Sequence, residues 1–241
     1  MVFSFDEINA LYEGKYKRKS IPYEQYFGDM DLSEEQKEKR VSLAKRIEEV
    51  IIFLFMLFDV YEEYGNVEES IEFIIHSIKQ KYIDVIKDFF ALEDYVEENT
   101  EDLESDDKKP KQKEEDALWK YIKEHTEDFV EDYIKTTLKH KNDPYYTSED
   151  RAILTSENEA NSISNATEFI EAALKNGFTK KMWNTEKDEL VRHSHALVEG
   201  VVLDINTPFV VGDSLMLFPK DTSYDASEQE IANCRCTMTY F

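Results

Sequence analysis

Residues 181–241 read KMWNTEKDELVRHSHALVEGVVLDINTPFVVGDSLMLFPKDTSYDASEQEIANCRCTMTYF. Both cysteines of the chain, Cys234 and Cys236, fall in this stretch, with two of its five histidines, His193 and His195, and one of its two tryptophans, Trp183. After Gly200 the apolar and β-branched residues come in short bursts, at 201–205, 209–211 and 215–218. Asn206-Thr207-Pro208 and Gly212-Asp213-Ser214 separate them, which is the pattern of short strands and turns. Residues 236–241 alternate and supply a last strand, and 188–197 reads as a short helix. The stretch predicts a compact module of helix and small antiparallel sheet.

What precedes it is of another kind. Ser33 followed by Gln36 is a capping-box signature, so a helix begins there. Its apolar positions recur at three- and four-residue spacings and spread around the whole circumference at VIIFLFMLF, residues 50–58. A helix apolar on every side must be enclosed, by this chain or by another subunit. Gly65-Asn66 ends it and opens a second helix, from Val67 to about Tyr95, which gives an antiparallel pair. His76 sits beside that apolar face as a boundary residue. Residues 97–115 are almost free of apolar side chains and read as a charged loop. Helical spacing resumes from Asp116 to Lys141 and stops at Asn142-Asp143-Pro144. One or two further helices run from 147 to a C-cap at Asn176-Gly177, with a kink or break expected in the Ser/Thr/Asn-rich part, 155–167. Residues 1–32 form an aromatic-rich arm, in which Tyr12, Tyr16, Tyr23, Tyr26 and Phe27 suit packing on later helices or docking on a partner.

The fold class is therefore α+β: a mainly helical N-terminal region and a small C-terminal helix-plus-antiparallel-sheet module. With 41% hydrophobic and 34% charged residues among 241, and only six glycines and five prolines, the chain can bury a sizeable core. Three segments follow: the arm 1–32, the helical region 33–141 with its charged loop, and the module 142–241.

Charge excludes one class of function. The 53 acidic residues outnumber the 29 basic ones for a net charge of −24. Duplex nucleic acid is held mainly by neutralising phosphates, so little or no direct nucleic-acid binding is expected. No secretory signal is evident at the start, and residues 50–58 fall far short of the roughly 20 apolar residues of a membrane span. Two cysteines one residue apart define no secreted disulfide framework and point to a reducing cytoplasm of synthesis.

Three chemistries can be built on the terminal module. A zinc site would use His193, His195, Cys234 and Cys236, but C-x-C is tighter than the usual C-x₂₋₄-C, and on a helix His193 and His195 stand about 200° apart. A nucleophile pair would join Cys234 to His195, with no oxyanion-hole glycine motif near either cysteine. An acid/base site would join His195 to Asp188, Asp204 or Asp221, an arrangement that 53 acids produce by chance. Against all three stands a polar network in which Arg192 and His195 tie helix to strands. No catalytic residue, metal or cofactor is assigned.

The ordered residues Trp183, Asp188, Arg192, His195, Gly200, Phe209, Gly212, Pro219, Asp221 and the closing Asn233-Cys234-Arg235-Cys236 resemble the C-terminal domain of the phage Mu F-like minor head (head morphogenesis) proteins. Thr155, Glu157, Ala160 and Asn161 are similar to that family's upstream T-E-x-x-x-A-x-N segment. The similarity covers about residues 153–241, with Trp183, Asp188, Arg192 and His195 expected in a helical stretch. One departure is Lys220, in the turn where the family often has glycine. The resemblance implies a minor capsid protein of a tailed bacteriophage, made in the host bacterial cytoplasm and carried in the virion near the portal. It would act in head assembly, DNA packaging or ejection, contacting the portal protein, the major capsid protein or copies of itself. It implies no enzymatic activity. The alternative is a hydrolase- or toxin-like enzyme or zinc-binding domain centred on His195, Cys234 and Cys236. The arm and residues 50–58 are the expected contact surfaces.

Overall fold

A computed structural model describes residues 23–28, 30–92 and 110–241. Most of the aromatic arm and most of the charged loop lie outside these residues. A short helix, α1 (Tyr23–Gly28), precedes four long ones: α2 (Glu34–Tyr64), α3 (Val67–Phe90), α4 (Pro110–Lys139) and α5 (Glu149–Ile170). Each long helix packs on the next, and α5 returns against α2, so the four close into a bundle.

The caps show why the boundaries fall where they do. Ser33 accepts the Gln36 N–H while the Gln36 side chain accepts the Ser33 N–H, so the predicted capping box is formed. Asn66 caps α3 by accepting from Glu68 and Glu69. Pro110 opens α4 six residues earlier than the apolar spacing indicated, because a first-turn residue needs no N–H. Asp143 caps a single 3₁₀ turn, Pro144–Thr147, and Ser148 then caps α5.

The apolar segment of α2 is enclosed by its own chain. Val50, Ile51, Phe53, Leu54, Phe55, Leu57 and Phe58 are all buried in one core with Ile74, Ile78, Tyr82, Ile122, Ile134 and Ile163. The Lys81 ammonium covers the Phe53 ring at 5.2 Å. Residues 50–58 are therefore core, and the expectation that they form a contact surface is withdrawn. From the arm, Phe27 is fully buried in this core and Tyr26 packs against it. His76 is exposed.

Helix α5 runs unbroken through 155–167, where a break was expected. Its polar side chains do not compete with the helix: Ser156 and Thr167 bond back to carbonyls one turn earlier, and Asn161 and Asn165 have partners on other elements. The irregularity comes later, as a π-helical turn at Glu171–Lys175, and Gly177 at φ +65° takes the chain out of it.

The module that follows contains β1 (Lys180–Asn184), α6 (His193–Ala196), β2 (Val202–Asp204), β3 (Phe209–Val211), β4 (Ser214–Met216), α7 (Glu228–Ile231) and β5 (Thr237–Tyr240). β1 is the middle of a three-stranded antiparallel sheet, pairing Lys181 with Leu203 of β2 and with Tyr240 of β5. β3 and β4 form a hairpin with Phe209 opposite Met216. Strand β1 was not foreseen: KKMWN has two lysines and no β-branched residue. Trp183 thus lies on a strand, not in a helical stretch, and is fully buried against Phe209, with ring centroids 5.3 Å apart. Ala166 and Phe169 of α5 carry this second core onto the bundle.

Candidate functional site

The Asn-Cys-Arg-Cys segment is held by three asparagines of α5. Asn158 donates to the Asn233 side-chain oxygen at 2.8 Å, Asn161 to the Cys234 carbonyl at 3.1 Å, and Asn165 to the Cys236 carbonyl at 3.2 Å. Spacings of three and four residues put the three amides on one helix face, and the segment runs alongside it. Asn165 also reaches the Pro219 carbonyl at 3.3 Å. The amide oxygens of Asn161 and Asn165 accept from Arg40 of α2, both at 3.1 Å, and the same guanidinium grips Glu168 with two bonds of 2.8 and 3.1 Å. Arg40 is 1% exposed. The guanidinium fork fixes which end of each amide faces the cysteines.

Alternation then sorts the side chains. In extended chain, residues i and i+2 share a face, so Cys234 and Cys236 both turn inward, where they are 2% and 3% exposed. Arg235 turns outward and pairs with Asp188 at 2.5 Å, which holds the Asp188 carboxyl below its usual range. Asn233 makes the preceding corner at φ +53°. Arg192 donates to the Ala232 carbonyl at that corner.

His195 completes the cluster from α6. Its Nδ1 lies 3.3 Å from the Cys236 Sγ and 3.5 Å from the Cys234 Sγ, and its Nε2 lies 3.0 Å from the Glu230 carboxylate of α7. Ser194 donates to the same carboxylate oxygen at 2.7 Å. Gly212 makes room for it: a Cβ there would sit 2.4 Å from Glu230 Oε1, and φ is +60°. Trp183 packs edge-on against the imidazole, centroids 5.8 Å apart. His193, 200° away on the short helix, is exposed and takes no part.

Both cysteines are free thiols. The Cys236 hydrogen bond, and then that of His195, hold the Cys234 thiol well below its ordinary range against the effect of burial. Cys236, which gives that bond and is itself buried, is pushed up. Burial disfavours charge on His195, but the bond to Cys234 outweighs it and the imidazole is raised. A cavity of about 20 Å³ borders the three groups, lined also by Leu190 and Val191.

The remaining motif residues have structural places. Gly200, at φ +70°, returns its N–H to the Trp183 carbonyl at 2.8 Å. Asp221 accepts from the backbone of Leu217 and Ser223, closing the turn after Pro219. Lys220 adopts φ +71° in that turn, the left-handed conformation that glycine suits, and is held by its Nζ bond to Asn158 at 3.0 Å. Glu157 is buried on α5, and burial, with Glu48 nearby, raises its carboxyl to about 7. Arg40, Asn158, Asn165 and Glu230 were not singled out from sequence. The signal for two of them was present in the repeat of asparagines at 158, 161 and 165 on one helical face.

A family model described as phage Mu protein F like protein matches residues 115–239, just over half of the chain. The chain belongs to that family. No curated protein and no solved structure matches it at a significant level. The phage Mu F-like match begins in α4 and ends in β5, so it takes in the asparagine face, the cluster and the sheet together. Membership makes the chain a phage head morphogenesis protein. Among the described residues no helix is long and apolar enough to cross a membrane.

Proposed function

We propose that this chain is a minor capsid protein carried inside the phage head near the portal, where it contacts portal or major capsid subunits during head assembly and DNA packaging or ejection. The observation that carries the reading is the phage Mu F-like match over residues 115–239. The net charge of −24 supports it, since a protein confined with packaged DNA must not bind phosphates tightly. Catalysis at Cys234 is the weaker reading. A thiolate and imidazole with a carboxylate behind them suit nucleophilic chemistry, but the thiol is almost wholly buried and the adjoining cavity holds about one water. Substrate pockets usually measure about 300 Å³ or more.

The test is a phage deleted for this chain, with particle number and infectious titre measured with and without the protein supplied in trans. The expected result is a titre reduced at least tenfold and restored by the protein. An unchanged titre with normal particles would overturn the proposal.

A further inference from the structure

We propose that His195, Cys234 and Cys236 form a zinc site, with Glu230 as the carboxylate behind the histidine and a water in the fourth position. The three ligand atoms, His195 Nδ1 and the two Sγ, all lie within 4.8 Å of one another and are buried. Zinc binds nitrogen at about 2.05 Å and thiolate sulfur at about 2.3 Å, so a nitrogen–sulfur edge of its tetrahedron is about 3.5 Å. The observed nitrogen–sulfur separations are 3.3 and 3.5 Å. The ligands stand where the metal would need them.

The surroundings fit as well. A zinc-bound histidine almost always donates its other ring N–H to a carboxylate or carbonyl. Here Nε2 meets Glu230, which Ser194 steadies and Gly212 admits. The C-x-C spacing, tight for a finger-type chelate, works because the segment is extended and its carbonyls are pinned by Asn161 and Asn165, so both thiols face one point. The fourth position faces the small cavity, whose roughly 20 Å³ accommodates one water and little else. Three protein ligands with one open position is a familiar zinc arrangement. Two thiolates and an imidazole favour zinc over magnesium or calcium, which take oxygen ligands.

The experiment uses the full chain, purified without an affinity tag under reducing conditions, with zinc measured by elemental analysis and cobalt(II) as a spectroscopic probe. The expected result is one zinc per chain, and in the cobalt form both thiolate-to-metal charge-transfer bands and the strong visible bands of tetrahedral coordination. Cys234→Ser and His195→Ala lose the metal, His193→Ala keeps it, and Glu230→Gln weakens affinity ten- to a hundredfold. If the cysteine variants fail to fold, the wild-type cobalt spectrum decides alone. Absence of bound zinc when both thiols titrate as free would overturn the proposal. So would a cobalt spectrum without thiolate bands, or zinc retained by a folded Cys234→Ser, Cys236→Ser double variant.

Discussion

Lys181 is the residue whose chemistry is least at ease in this fold. Its place on β1 turns the side chain into the second core, where the ammonium lies 5.0 Å from the Phe169 ring and 5.4 Å from Phe209. Among the described residues the nitrogen has no hydrogen-bond partner. Burial lowers the amine to about 8, with Asp221 pulling the other way. The usual value, 10.5, holds in the unfolded chain. Between about pH 8 and pH 10.5 the unfolded chain therefore keeps a proton that the folded chain has given up, and stability rises with pH across that window. Below pH 8 both states carry the proton, and the fold bears the full cost of enclosing it. Lys181→Met keeps the stem on the two rings and removes the charge. Its expected effect is a higher Tm at pH 7, by roughly 2–6 °C, with the gap over wild type closing as pH rises toward 10. Thermal melts of both proteins at pH 7, 8.5 and 10 check this, and a gap that widens with pH contradicts it.

Between elements, the join is made by one arginine and a helix face. Arg40 reaches from α2 to Asn161, Asn165 and Glu168 of α5, and through the two amides to the carbonyls that carry the cysteines. A lysine there would keep the charge but could satisfy at most part of the fork. Arg40→Lys should cost about 3 kcal/mol or more, because buried amide oxygens and a carboxylate lose their partners. Urea unfolding followed by helix signal and by tryptophan emission checks it, and a loss under 1 kcal/mol would show the join to be elsewhere. The same face explains what was legible and what was not. Capping residues announced themselves, since Ser33, Asn66 and Gly177 act through local backbone geometry. The continuity of α5 did not, because Asn161 and Asn165 disfavour helix locally and are satisfied only by residues more than 50 positions away. Strand β1 was hidden for a related reason: Lys181 and Trp183 are placed by pairing with two distant strands. Of the cluster, the residue types were legible in order, and the exposed position of His193 follows from the helical angle. The convergence of His195 with the two thiols depends on Glu230, Gly212 and the asparagine face, which no spacing rule relates.

For the molecule as a whole, the residues that look most reactive in the sequence lie buried in the terminal module, and the backbone carbonyls of Cys234 and Cys236 take the bonds from the bundle. Trp183, Cys234 and Cys236 share one buried core with Phe209 and Met216, His195 packs edge-on against Trp183, and α5 belongs to both cores. The proposed role is a part built into a particle, and the net charge of −24 suits confinement with DNA. The phage Mu F-like family supplies the particle. Virions purified through a density gradient and treated with protease and nuclease, so that only enclosed proteins survive, provide the direct measurement. Quantitative mass spectrometry of those particles should find this chain intact, in few copies relative to the major capsid protein. Its absence from particles that retain portal and capsid proteins would contradict the account.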